Sequence, residues 1–165
     1  MLEPKELVEI NTVINGQKVQ KRVSVRMHLA DFLRSDLGLN GVHLGCEHGV
    51  CGACTILVDD LLVRACLMLA VQIDGCRIET IEGAVESGRV AQIVAAFQQR
   101  NAAQCGFCSP AMVLTASELV KQKLRPSRDQ IREGISGNYC RCTGYQSIVD
   151  AIEDIYDGKK LDQSL

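Results

Sequence analysis

The sequence has no tryptophan, and three phenylalanines and three tyrosines are its only other aromatics. Its core must therefore be mostly aliphatic, which a 47% apolar composition permits. A surplus of one charge is also missing, with 18 basic against 20 acidic residues and a net charge of −2. That balance gives no support to a nucleic-acid or anionic-membrane partner. No stretch reaches the ~18–20 apolar residues that span a bilayer. The longest apolar segment, residues 61–73, is interrupted by Arg64, Cys66 and Gln72. The opening MLEPKELVEINTV lacks a basic region followed by an apolar run, so no secretory leader is expected. Internal repeats and low-complexity tracts are absent. The expectation is a cytoplasmic protein of one domain or two small ones.

Cysteine is what the 165 residues have in excess, with nine. In a reducing compartment such a pattern points to metal or redox chemistry rather than to disulfides, and the odd count agrees. Four lie between positions 46 and 66 and four between 105 and 142, with Cys76 alone between the blocks. Two modules with one site each are expected, 1–81 and 82–165. Cys76 reads as a core or interface residue.

The first module reads as strands. Val8, Ile10, Thr12 and Ile14 alternate with polar residues, Asn15-Gly16 is a hairpin signal, and Val19, Val23 and Val25 resume the alternation. Leu29, Phe32, Leu33 and Leu37 then share one helical face, with Gly38 as the stop. Short strands are expected at 55–58 and 61–65 around an Asp59-Asp60 turn, and another at 77–80. Residues 82–88 read as a linker. The second module reads as helices over 90–100, 109–124, 128–135 and 145–156. Ser109 is the expected N-cap of the second, with Pro110 at its first position, and Ser127 caps the third. In the last, Tyr145, Ile148, Val149, Ile152, Ile155 and Tyr156 form the apolar stripe, with Asp150, Glu153, Asp154 and Asp157 turned away.

Cys46, Cys51 and Cys54 have the C-x4-C-x2-C spacing of plant-type ferredoxins, with 11 residues between Cys54 and Cys66. A 2Fe–2S cluster on four thiolates is strongly anionic, and inward-pointing backbone N–H groups stabilise it. Such loops need backbone conformations that glycine adopts with least strain, and Gly45, Gly49 and Gly52 interleave with the cysteines. Zinc also takes four thiolates, but its structural sites typically use Cys pairs spaced by two to four. His43 and His48 read first as loop or surface residues. The second block pairs Cys105-x2-Cys108 with Cys140-x-Cys142 across 31 residues. Both pairs are expected near helix N-termini, where the dipole favours thiolate charge. Alone, this block fits zinc nearly as well as iron.

Taken together, GCEHGVCGACTILVD, RACLMLAVQ, QCGFCSPAMVL and GNYCRCTGYQSI resemble the small iron–sulfur subunit of the molybdenum hydroxylases, the xanthine dehydrogenase and aldehyde oxidoreductase family. The resemblance covers roughly residues 7–157. It implies an α+β chain, with a β-grasp, ferredoxin-like domain followed by a four-helix domain. It implies two 2Fe–2S clusters, one on Cys46, Cys51, Cys54 and Cys66 and the other on Cys105, Cys108, Cys140 and Cys142. This chain then does no substrate chemistry. A large subunit carries molybdopterin, in its cytosine dinucleotide form, and a medium subunit carries FAD. The small subunit relays electrons between them, in a dimer of heterotrimers. Gln104 matches the family's pterin-contacting glutamine, and Cys142 the cysteine whose neighbourhood contacts the pterin. The second cluster would then lie next to molybdenum and the first nearer FAD. The small subunit looks like those of bacterial three-subunit enzymes that hydroxylate N-heteroaromatic rings. A free-standing two-cluster ferredoxin and a zinc-bound adapter are the competing classes. Residues 67–71 and 107–112 are candidate partner surfaces that core burial would explain equally well.

Overall fold

The computed structural model describes residues 7–122 and 124–157. Strand β1 (Leu7–Ile14) turns back into β2 (Gln17–Ser24) with Ile14 opposite Gln17. The turn residues Asn15 and Gly16 have φ of +49° and +79°, the pair of left-handed residues that a tight hairpin needs. The expected alternation holds, since Ile10, Thr12 and Ile14 face the core.

Helix α1 (Leu29–Asp31) continues as one π turn (Phe32–Asp36). Leu29, Phe32 and Leu33 are fully buried, Leu37 packs at the core margin, and Gly38 stops the segment at φ +71°. The apolar spacing locates this helix but does not reveal its π widening.

After the cysteine loop come β3 (Thr55–Val58) and β4 (Leu61–Arg64), then single 3-10 turns at Ala65–Leu67 and Ala70–Ile73, and β5 (Arg77–Glu79). The sheet order is β2-β1-β5-β3-β4, with β1 and β5 parallel and the other neighbours antiparallel. β3 is buried along its whole length. Its Ile56 and Val58 join the sheet's core, while Leu57 joins the helical core.

The expected linker at 82–88 is instead mostly helical: α2 spans Ile81–Glu86. Tertiary contacts hold it. Asn15 Oδ1 accepts from Thr80 N–H at 2.9 Å, and the Asn15 amide donates to the Thr80 hydroxyl at 2.9 Å. Glu82 accepts from Gly41 N–H at 2.7 Å and from the Thr80 hydroxyl at 2.6 Å. A Cβ at Gly83 would sit 2.4 Å from Asn15 Oδ1, so this helix docks on the first hairpin through a bare glycine.

Helices α3 (Ala91–Gln99), α4 (Ser109–Val120), α5 (Arg128–Ile135) and α6 (Gln146–Tyr156) complete the chain. The start of α4 is shifted by one from expectation, with Cys108 at the cap and Ser109 and Pro110 inside the first turn. It ends at Val120 rather than near Leu124. α5 has the expected bounds. Ser127 Oγ accepts from Gln130 N–H and the Gln130 side chain accepts from Ser127 N–H, a reciprocal cap. In α6 the apolar stripe faces inward, but Asp154 is also buried, contrary to expectation. Its two oxygens accept from Arg100 Nε at 2.5 Å and Nη2 at 2.9 Å. The bidentate pairing supplies the hydrogen bonds a buried carboxylate requires.

Candidate metal centres

The first cysteine set occupies the loop before β3 and the turn after β4. Glu47, Gly49 and Gly52 hold φ of +55°, +85° and +73°, which curls the backbone around the Cys46 sulfur. Cys51 N–H donates to Cys46 Sγ at 3.3 Å. The Cys51 and His48 amides, helped by Val50, lower this thiol to about 6. Cys66 arrives through strand register. Thr55 pairs with Arg64, and Ala65 N–H donates to the Cys54 carbonyl at 3.2 Å. The hairpin therefore sets Cys66 beside Cys54 despite the 11 residues between them.

Cys54 is only 2% exposed. Burial pushes its thiol up to about 11, with the neighbouring Cys66 and Cys51 thiols adding to the rise. A bare thiolate is disfavoured there, whereas a coordinating metal deprotonates a thiol outright. Val50 and Leu67 lie exposed over this loop, and a Cβ on Gly49 would strike Leu67 Cδ1 at 2.5 Å.

The second set joins the α3–α4 loop to the α5–α6 loop. Cys108 stands at the N-cap position of α4, as expected, but makes no side-chain cap bond. Cys140 and Cys142 lie in the loop ahead of α6, short of its first turn, because Tyr145 takes φ +68° and delays the helix. The thiols meet in two pairs. Cys105 lies beside Cys142 at an exposed edge and Cys108 beside Cys140 in the interior, each thiol acting electrostatically on its neighbour. Burial, with Cys140 beside it, pushes Cys108 up to about 12. Burial also acts upward on Cys140, but bonds from the Thr143 hydroxyl and nearby amides bring it below the ordinary value. Thr143 Oγ1 is 3.1 Å from Cys140 Sγ. Tyr145 OH accepts from Cys140 N–H at 2.9 Å.

Each set therefore presents two pairs of neighbouring cysteines from separate segments, with N–H groups around Cys46 and Cys140 and buried thiols that favour a bound metal. This donor chemistry fits a 2Fe–2S cluster. Among the described residues no three His, Cys, Asp or Glu side chains converge on a single ion. A binuclear cluster divides its four protein ligands two to each iron, so pairs of thiols are what it needs.

Gln104 is exposed beside Cys105. His48 is exposed, and its Nδ1 donates to the Cys46 carbonyl at 2.6 Å. The His43 ring stacks on Phe107, with centroids 4.7 Å apart and planes at 17°. Cys76 lies at the margin of the sheet core, with weak contacts to the Gln72 and Asp74 carbonyls. Of the expected partner surfaces, Leu67 and Phe107 are exposed, while Ala70 and Met112 are core.

Sequence reasoning missed Arg64 and Asn138. Arg64 Nη1 donates to Thr55 Oγ1 at 2.5 Å and its Nη2 to the Gly137 carbonyl at 2.8 Å. Asn138 is buried between Gly52, Thr55 and Thr115. The only local signal was Gly137-Asn138 ahead of Cys140, an ordinary turn dipeptide.

Residues 12–72 match the family described as a 2Fe-2S iron-sulfur cluster binding domain, and residues 80–153 match the one described as a [2Fe-2S] binding domain. The class is thus a protein with two 2Fe–2S binding domains. The nicotine 6-hydroxylase small subunit of Paenarthrobacter nicotinovorans is 47% identical over 92% of this chain and 91% of its own. Quinoline 2-oxidoreductase from Pseudomonas putida 86 has a chain 50% identical, with a TM-score of 0.84, over 90% of this chain and 91% of that one. Aldehyde oxidoreductase from Desulfovibrio gigas is 39% identical with a TM-score of 0.81, over 93% of this chain but 18% of that longer one. The chain belongs to the small 2Fe–2S subunits of the xanthine dehydrogenase and aldehyde oxidoreductase family of molybdenum hydroxylases.

Proposed function

We propose that this chain is the electron-transfer subunit of a molybdenum- and FAD-dependent hydroxylase. Cys46, Cys51, Cys54 and Cys66 hold one 2Fe–2S cluster, and Cys105, Cys108, Cys140 and Cys142 hold the other. The observation that carries this reading is the match of residues 12–72 and of residues 80–153 to two different 2Fe–2S binding domains, each of which contains one block of four cysteines. When bound, each cluster supplies a one-electron carrier. The chain's own residues hold the thiolates, aim amides at their sulfurs and keep water from the Cys54 and Cys108 sides.

The sheet unit, 1–81, serves as the β-grasp, ferredoxin-like domain. The helical unit, 82–165, serves as the second cluster domain, with α3 to α6 as its four helices. The two sites differ in outlook. Each set has two buried cysteines, but the outer pair of the second, Cys105 and Cys142, is exposed, whereas the outer pair of the first, Cys46 and Cys51, is half-buried. An exposed edge suits a large subunit carrying molybdopterin, in its cytosine dinucleotide form, with Gln104 and Cys142 at the pterin. The first site then faces the medium subunit and its FAD. The long relative of which this chain matches 18% supports a small unit that works beside a larger one. We place the assembly in the cytoplasm as a dimer of heterotrimers. Among the described residues no helix is long and apolar enough to cross a membrane.

The nicotine and quinoline enzymes among the relatives favour an N-heteroaromatic substrate. Purifying the chain by a tag from its native host tests the assignment. Molybdenum and flavin should co-purify with it in fixed ratio. Recovery of the iron–sulfur chain alone, without either, would favour a free ferredoxin.

A further inference from the structure

The two cysteine sets meet along one seam. The Cys51 carbonyl accepts from Tyr139 N–H at 2.8 Å, and Tyr139 immediately precedes Cys140. A path along the chain from one set to the other thus crosses a single hydrogen bond. Asn138 sits beside it, 2% exposed. Its amide nitrogen donates to the Gly52 carbonyl at 3.0 Å and to Thr55 Oγ1 at 3.2 Å. Its amide oxygen accepts from the Thr115 hydroxyl at 3.0 Å. These bonds go to backbone and hydroxyl groups, not to a cysteine sulfur. The approach is so close that a Cβ on Gly52 would lie 2.2 Å from the Gly137 carbonyl oxygen. Arg64, two residues before Cys66, also reaches across the seam to the Gly137 carbonyl at 2.8 Å, and the His43–Phe107 stack, with its 2.7 Å bond from His43 Nδ1 to the Phe107 carbonyl, lies toward solvent. The stack also starts farther along the chain from a cysteine.

We propose that Asn138 is a positioning residue for electron exchange between the two sites, because it holds the Cys51–Tyr139 hydrogen bond that joins them. The inference rests on reading both sites as 2Fe–2S clusters. In the exchange one electron leaves one site, which is oxidised, and enters the other, which is reduced. No bond forms or breaks and no proton moves. The position calls for an amide, since the same side chain must donate toward Gly52 and accept from Thr115. Burial between β3 and α4 fixes it more firmly than a surface contact would.

The test uses the full chain, purified with the subunits that accompany it, in wild-type, Asn138→Ala, Thr115→Val and Phe107→Leu forms. Iron and sulfide are counted first. Low-temperature EPR of the dithionite-reduced protein then reads the splitting that two neighbouring paramagnetic sites impose on each other. A reduction pulse reads how fast one electron equilibrates between them. Asn138→Ala is expected to keep its iron, sulfide and both sets of g-values, while the splitting narrows and equilibration slows. Thr115→Val should move the same two readouts less, and Phe107→Leu should leave them at wild type. Wild-type splitting and rate in Asn138→Ala, with both signals present, would overturn the inference and leave the two-cluster reading intact. If Asn138→Ala loses a cluster, Thr115→Val decides by the same criterion. A wild-type protein without two signals would overturn both.

Discussion

At Gly52 the backbone sits at φ +73° with the Gly137 carbonyl where a Cβ would be. Gly52→Ala therefore meets both strain and collision. The left-handed backbone alone costs about 1–3 kcal/mol, so thermal unfolding should show a clear drop in Tm, larger than for Gly75→Ala, which has a similar φ and open space. Equal drops would mean the seam yields easily. At the same scale, Cys105→Ser should halve the iron while leaving the first site's visible absorption. Loss of all iron would instead mean that the two sites assemble only together. The left-handed backbone at Gly49 and Gly52 was legible because a loop around thiolates calls for it, whereas Gly45 does not adopt it and Glu47 does. Asn138 and Arg64 were not legible, since their partners lie 73 or more residues away for Arg64–Gly137 and Asn138–Gly52.

Elements were legible where their signals are local. The Asn15-Gly16 hairpin and the Ser127 cap depend on neighbours in sequence, and both stand as expected. Ser127→Ala should cost about 1 kcal/mol, read by chemical denaturation; no change would mean that packing alone holds α5. Helix α2 reads as a linker from sequence because its stability comes from Asn15 and Gly41 across the fold. Asp154 was placed on the outer face of α6 because charge pattern does not reveal that Arg100 follows it inward. Asp154→Ala strands a guanidinium that is partly exposed. We expect a loss of roughly 1–2 kcal/mol, in the range of a charge-assisted hydrogen bond, with cluster absorption unchanged. A variant as stable as wild type would show that water replaces the carboxylate.

For the molecule as a whole, the two apolar cores abut through β3, whose Leu57 joins the helical side while Ile56 and Val58 join the sheet side. A fully buried strand thus lies between the two cysteine sets and explains why sites from distant parts of the sequence share a seam. The central claim is that both sets hold 2Fe–2S clusters. Its most direct measurement is joint analysis of iron, zinc and acid-labile sulfide in the purified full chain, with EPR after reduction. The account predicts iron and sulfide in equal amounts, enough for two clusters per chain, and two distinct signals. Iron and sulfide for one cluster, with zinc filling the Cys105, Cys108, Cys140 and Cys142 site, would contradict it.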